Sequence, residues 1–79
     1  MTTNVNLPKS GMGIEEAKVV RWLKNVGEQV TRGEVLVEVE TAKAIQEVES
    51  PVSGTLVEIA AAVGETVPVH ARLGVIDHD

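Results

Sequence analysis

Along much of the chain, apolar residues recur at every second position, and valine dominates the segments that carry this rhythm. In the clearest one, Val35, Val37 and Val39 alternate with Leu36, Glu38 and Glu40. After Thr41-Ala42-Lys43-Ala44 comes a second such segment, where Ile45 and Val48 mix with Gln46, Glu47 and Glu49. β-Branched residues at near-alternate positions on both sides of a short polar break predict a β-hairpin. Its tip falls close to Ala42-Lys43. Neither glycine nor asparagine occupies that tip, which disfavours a two-residue primed turn and predicts a longer loop built on a type I turn. Such a hairpin holds Lys43 in solvent, ringed by Glu38, Glu40, Glu47 and Glu49.

Elsewhere the pattern is less decisive. Val5 and Leu7, stopped by Pro8, predict a short first strand. The glycines of Lys9-Ser10-Gly11-Met12-Gly13 predict a loop, with Met12 as a gap-filling apolar contact. Residues 14–24 are ambiguous. Glu15, Glu16, Ala17 and Lys18 favour helix, and Ile14, Ala17 and Leu23 could share a face, whereas Val19, Val20 and Trp22 favour strand. Trp22 offers more apolar area than any other side chain and is expected to anchor the core.

An internal repeat resolves the ambiguity. Val26-Gly27-Glu28-Gln29-Val30 returns as Val63-Gly64-Glu65-Thr66-Val67, 37 residues later. The same offset pairs Val20 with Val57, Trp22 with Ile59, Leu36 with Leu73 and Val39 with Ile76. Two copies are too few for a solenoid, but two copies related by a pseudo-twofold axis can close one core between them. If residues 55–60 form a strand, residues 18–23 form one too. Gly27 and Gly64 then hold equivalent turns that need a positive φ. Ser50-Pro51-Val52-Ser53-Gly54 reads as the turn between the copies, and Leu73-Gly74-Val75-Ile76 as the last strand. The fold class expected is all-β: a flattened barrel or sandwich of two small antiparallel sheets with internal pseudo-twofold symmetry, as one domain over residues 1–79 with its core at about 5–77. By the repeat, the Lys43 tip and the two termini sit at opposite ends.

Composition narrows the function classes. A chain of 79 residues is one small domain, and without Phe or Tyr its core must come from aliphatic side chains. It has no cysteine, which excludes disulfides and thiolate metal sites. His70 and His78 are too few for a metal cluster, and His78 is expected to lie in a solvated tail. A net charge of −5 argues against nucleic acid and against anionic membranes. No apolar run approaches membrane-spanning length, and the first residues have no signal character, so a cytoplasmic, bacterial-like protein is expected. No nucleophile–base–acid set or phosphate loop is visible: Gly11-Met12-Gly13 carries no third glycine.

Glu40-Thr41-Ala42-Lys43-Ala44 resembles the modification motif of the biotinyl/lipoyl carrier domains. Its surroundings match as well, in Val20-Arg21-Trp22-Leu23, Gly27-Glu28 with Val30, Gly33-Glu34 with Leu36, Pro51 with Gly54, and Gly64-Glu65 with Val67. The likeness runs over residues 7–76. Within the family, the chain is most similar to lipoyl domains of 2-oxo acid dehydrogenase acyltransferase components. The lipoyl motif usually reads Asp-Lys-Ala, and Lys43-Ala44 keeps its second half, while Ala42 departs from the usual Asp. The biotinyl motif has methionine on both sides of the lysine, and neither is present.

The resemblance implies a barrel-sandwich hybrid fold, with Lys43 as the covalent attachment point and lipoate joined to its ε-amine as an amide. A lysine amine is charged at neutral pH, and amide formation removes that charge. It implies as partners a lipoate ligase or lipoyl transferase, a thiamin-dependent 2-oxo acid decarboxylase, the acyltransferase core and a flavin-dependent dihydrolipoyl dehydrogenase. The chain itself is expected to be non-catalytic, the prosthetic group bringing the chemistry and the protein presenting it. Its acidic residues have two readings, as wet faces of edge strands kept from aggregating or as a patch that partner enzymes select. Biotin, on a carrier of a biotin-dependent carboxylase, is the alternative cofactor, and an unmodified β interaction module is the third reading. The substrate class (pyruvate, a branched-chain 2-oxo acid, 2-oxoglutarate or acetoin) stays open, as does whether the chain is free-standing or part of a larger acyltransferase.

Overall fold

The computed structural model describes residues 1–9 and 13–79; the expectations for Ser10, Gly11 and Met12 lie outside the described residues. Among the described residues, eight strands follow in chain order: β1 (Thr2–Asn6), β2 (Glu16–Trp22), β3 (Gln29–Val30), β4 (Val35–Glu40), β5 (Ile45–Glu49), β6 (Gly54–Ile59), β7 (Thr66–Pro68) and β8 (Arg72–Asp77). The ambiguous stretch is a strand, as the repeat requires. One antiparallel sheet has the order β1-β8-β6-β3, the other β5-β4-β2-β7. The two pack as a flattened sandwich, not a closed barrel. Exchanging β1 with β5, β2 with β6, β3 with β7 and β4 with β8 turns one order into the other, so the pseudo-twofold is present in the topology. Each sheet draws strands from both half-repeats, and neither half can complete a sheet alone.

The core between the sheets is aliphatic. Val19, Leu36, Val37, Val39, Leu56, Leu73 and Ile76 are each fully buried, and Val5, Leu7, Val30 and Val48 extend the same cluster. Leu36 and Val37 are neighbours in sequence yet both face inward, against the simple alternation expected. The reason is a β-bulge: Val35 pairs with Glu49 and Val37 with Val48, leaving Leu36 as the extra residue. Its repeat mate Leu73 is bulged in the same way between the partners of Val5 and Asn6. Val20 and Val57, also mates, are extra residues in the pairings of β2 with β4 and of β6 with β8. Trp22 is half-buried against the rim of the core rather than at its centre. Its indole N–H donates to the carbonyl of Ala61 at 2.8 Å, tying β2 to the segment that follows β6.

Three turns of the form x-x-Gly-Glu shape the ends of the sandwich. In Asn25–Glu28, Thr31–Glu34 and Ala62–Glu65, the fourth residue's N–H donates to the first residue's carbonyl, at 2.9–3.1 Å. The glutamate carboxylate then accepts the first residue's N–H, at 2.7–2.9 Å. Gly27 and Gly64 have φ of 97° and 94°, as expected for their equivalent positions. Gly33 has a repeat mate that is not glycine: His70, with φ of 74°. His70 occupies the third position of the turn closed by Ala71 N–H to Pro68 O at 3.1 Å.

The chain ends are held. The amino terminus donates to the His78 carbonyl at 2.9 Å, and Thr3 Oγ1 lies 2.7 Å from His78 Nε2, so His78 is not the free tail residue expected. Met1, Asp77 and Asp79 border Ser53 and Gly54, at the root of the β4–β5 hairpin. The six-residue β4 puts the tip about 20 Å from that root, in a molecule 36 Å long. Tip and termini therefore lie at opposite ends.

An L-residue in the left-handed region costs about 1–2 kcal/mol, partly offset by the chain entropy that glycine adds to the unfolded state. His70→Gly is expected to stabilise by about 0.5–1 kcal/mol in urea unfolding; a lowered midpoint contradicts the strain assigned to His70. The Glu34 carboxyl is held below the usual range, first by the Thr31 N–H and then by Lys24, whose Nζ lies 3.1 Å away. A depressed folded-state pKa adds stability above the unfolded value, lost as pH falls through the folded one. Removing the carboxylate with Glu34→Gln should thus flatten the acid limb of the stability–pH curve; an unchanged limb assigns it to other carboxylates.

Candidate functional site

The hairpin expected from the sequence is present. β4 and β5 pair from Val35 opposite Glu49 to Glu40 opposite Ile45, leaving residues 41–44 as a four-residue loop. Ala42, Lys43 and Ala44 are exposed and Thr41 is half-buried. Neither Ala42 nor Lys43 has positive φ, which excludes a primed turn and agrees with the longer type I-based loop.

Thr41 closes this loop. Its backbone N–H donates to the Ala44 carbonyl at 2.9 Å. Its hydroxyl oxygen accepts the N–H groups of Lys43 and Ala44 at 3.3 and 3.2 Å, and its hydroxyl proton points to the Ala44 carbonyl at 3.0 Å. A threonine hydroxyl that bonds the backbone two and three residues on is a local substitute for turn hydrogen bonds. It compensates for the absence of glycine or asparagine at the tip and fixes the backbone from which Lys43 projects. The role of Thr41 was missed from sequence alone; its signal is a hydroxyl residue at the first position of a turn.

The glutamates do not ring the lysine. Glu49 faces Val35 at the root of the hairpin, about 14 Å along β5 from Ile45. Glu38 and Glu47 face each other midway, and the like charges are relieved by Arg21, whose Nε lies 3.3 Å from Glu38. Among the four, Glu40 alone borders the loop. Since β5 is the outermost strand of its sheet, Glu47 and Glu49 sit where charge protects an edge.

Two shallow grooves flank the tip. One runs past Ile14, Glu16, Ala17 and Lys18 to Glu40 and Thr41. The other is lined by Lys18, Val20, Glu40, Ile45, Val63 and Gly64. Among the described residues no three His, Cys, Asp or Glu side chains converge as metal ligands, and no helix is long and apolar enough to cross a membrane.

An exposed lysine thus stands at a hairpin apex on a doubled β sandwich. The family model described as "Biotin-requiring enzyme" matches residues 3–76. The chain belongs to the biotinyl/lipoyl carrier domain family. The curated relatives that it matches include dihydrolipoyllysine-residue acyltransferase components. It is 48% identical over 77 residues to the dihydrolipoyllysine-residue succinyltransferase component of the 2-oxoglutarate dehydrogenase complex of Bartonella vinsonii subsp. berkhoffii, covering 98% of this chain and 19% of that protein. It is 47% identical over 74 residues to the acetyltransferase component of the pyruvate dehydrogenase complex of Mycobacterium bovis, covering 90% and 13%. Among solved structures, the lipoyl domain of the 2-oxoglutarate dehydrogenase complex from Azotobacter vinelandii superposes with a TM-score of 0.77 at 32% identity, covering 95% of each chain. The carrier domain thus spans about a fifth or less of the curated acyltransferases it matches. The lipoyl reading prevails over the biotinyl one, in line with the missing methionines beside Lys43.

If Thr41 closes the loop, Thr41→Val removes the side-chain bonds at nearly constant shape. Amide exchange at Lys43 and Ala44 should then accelerate by about three- to tenfold, since one hydrogen bond is worth about 1 kcal/mol, and Thr41→Ser should restore protection. Equal exchange in all three proteins would remove Thr41 from this role.

Proposed function

We propose that this chain is a single lipoyl carrier domain whose Lys43 is the covalent attachment site for lipoate. The observation that carries the reading is the exposure of Lys43 at the apex of the β4–β5 hairpin, on a turn braced by Thr41. An attached group needs an amine that a ligase can reach and a root that does not wander. Residues 42–44 are exposed, and the hydroxyl of Thr41 restrains their backbone, so the residues present fit the group. The lipoate carboxyl would join Nζ as an amide, converting a charged amine into a neutral link.

When attached, lipoate supplies a dithiolane that takes up acyl groups and electrons. The chain's own residues supply position. Thr41 fixes the loop, the β4–β5 ladder lifts it clear of the sandwich, and the anchored termini leave the opposite end for any adjoining chain. Tethering raises the effective concentration of the arm at partner active sites to the order of millimolar. The partners are those of a 2-oxo acid or acetoin complex: a lipoate ligase, a thiamin-dependent decarboxylase, the acyltransferase core and dihydrolipoyl dehydrogenase, in the cytoplasm. The chain carries no catalytic step of its own.

Intact mass after expression with lipoate and with biotin tests the reading. A lipoyl increment, lost in Lys43→Ala, is expected. A biotinyl increment, or none in the wild-type chain, contradicts it.

A further inference from the structure

The outer face beside the tip holds a shallow groove with an apolar wall. Val20, Ile45 and Val63 line it with relative exposures of 36%, 57% and 61%, together with Lys18, Glu40 and Gly64. The internal repeat provides a control. Val20 and Val63 have mates in Val57 and Val26, exposed by 43% and 57%, at the corresponding bulge and turn of the other half. The valine pair is therefore a property of the repeated fold and marks no site by itself. Ile45 breaks the symmetry. It pairs with Glu40, whereas Asp77, the mate of Glu40, pairs with Thr2. A polar residue serves that edge in one half; in the half that bears Lys43, the edge carries a large exposed aliphatic side chain.

We propose that this groove is the resting site of the apolar stem of the lipoyl group borne by Lys43 of the same molecule; the inference rests on the carrier reading above. Ile45 is two residues from Lys43, a backbone reach of at most about 7 Å, and a lysyl side chain prolonged by the lipoyl chain exceeds that distance. The part of the occupant that lies on Val20, Ile45 and Val63 must be apolar, because these exposed aliphatic side chains form the wall above the buried Val19. Amide formation has already removed the lysine charge that would oppose such contact. A tethered group faces its groove at an effective concentration on the order of millimolar. A contact with a dissociation constant in that range fills the groove about half the time, and it releases readily when a partner enzyme takes the arm. Glu40 and Lys18 at the groove's border leave its mouth polar, which limits how far the stem is buried.

Methyl-labelled holo-domain tests this, after mass spectrometry has established the lipoyl increment. Nuclear Overhauser contacts are expected between lipoyl methylenes and the methyls of Val20, Ile45 and Val63, with none at Val26 or Val57. Ile45→Thr, which copies the other half of the repeat at an exposed position, should abolish the contacts at Val20 and Val63 without lowering the melting temperature. Contacts confined to residues 42–44, or contacts that survive unchanged in Ile45→Thr, would overturn the inference while leaving lipoylation at Lys43 intact. Absence of the mass increment would instead bring down the carrier reading and the groove with it.

Discussion

The structure depends on the exchange of strands between two half-repeats. β6 and β8 complete the sheet begun by β1 and β3, and β2 and β4 are flanked by β5 and β7. Burial of Leu36 and Leu73, Val39 and Ile76, and Val19 and Leu56 is shared between halves that cannot form a sheet separately. A chain this small has little apolar area to spend on its core. Interleaving gathers most of the buried aliphatic side chains into one cluster, and it leaves polar work to the ends of the molecule.

The two ends are topological equivalents that have diverged. One carries the termini, with the amino group on the His78 carbonyl and Thr3 on the His78 ring. At the other, the chain runs on from β4 into β5 as a closed loop. A lysine at the first end would share space with an entering and a departing chain. At the second it stands on a continuous hairpin whose root is bonded through Gly33 N–H to Ser50 O and Ser50 N–H to Glu34 O, both at 2.8–2.9 Å. The symmetry lets the two halves share one core, and its departures, Ile45 against Thr2 and Gly33 against His70, mark where the halves differ.

Much of this was legible in the sequence because repetition carries more information than local propensity. Val26-Gly27-Glu28 against Val63-Gly64-Glu65 pointed to a strand over residues 18–23 where helix formers had left the matter open, and the strand runs over Glu16–Trp22. The hairpin and its exposed lysine followed from alternation alone. The bulges were not legible: Leu36 and Val37 both face inward because one residue is left over in a pairing, and no local pattern reveals which partner residue it lacks. The same limit produced the expectation of a ring of glutamates. Position in the sequence placed them near Lys43, while register sent Glu49 to the root and Glu38 to Arg21. The hydroxyl of Thr41 was visible as a residue but not as the closure of the loop, since its role exists only once Lys43 and Ala44 turn their N–H groups toward it.

Position alone separates Lys43 from Lys9, Lys18 and Lys24, all lysines of one chain with the same amine. Proteolytic peptide mapping of the protein modified by a lipoate ligase measures that distinction directly. The account predicts the lipoyl group on the peptide containing Lys43 and unmodified amines at the other three positions. A lipoyl group on Lys9, Lys18 or Lys24, or one spread among them, would contradict it.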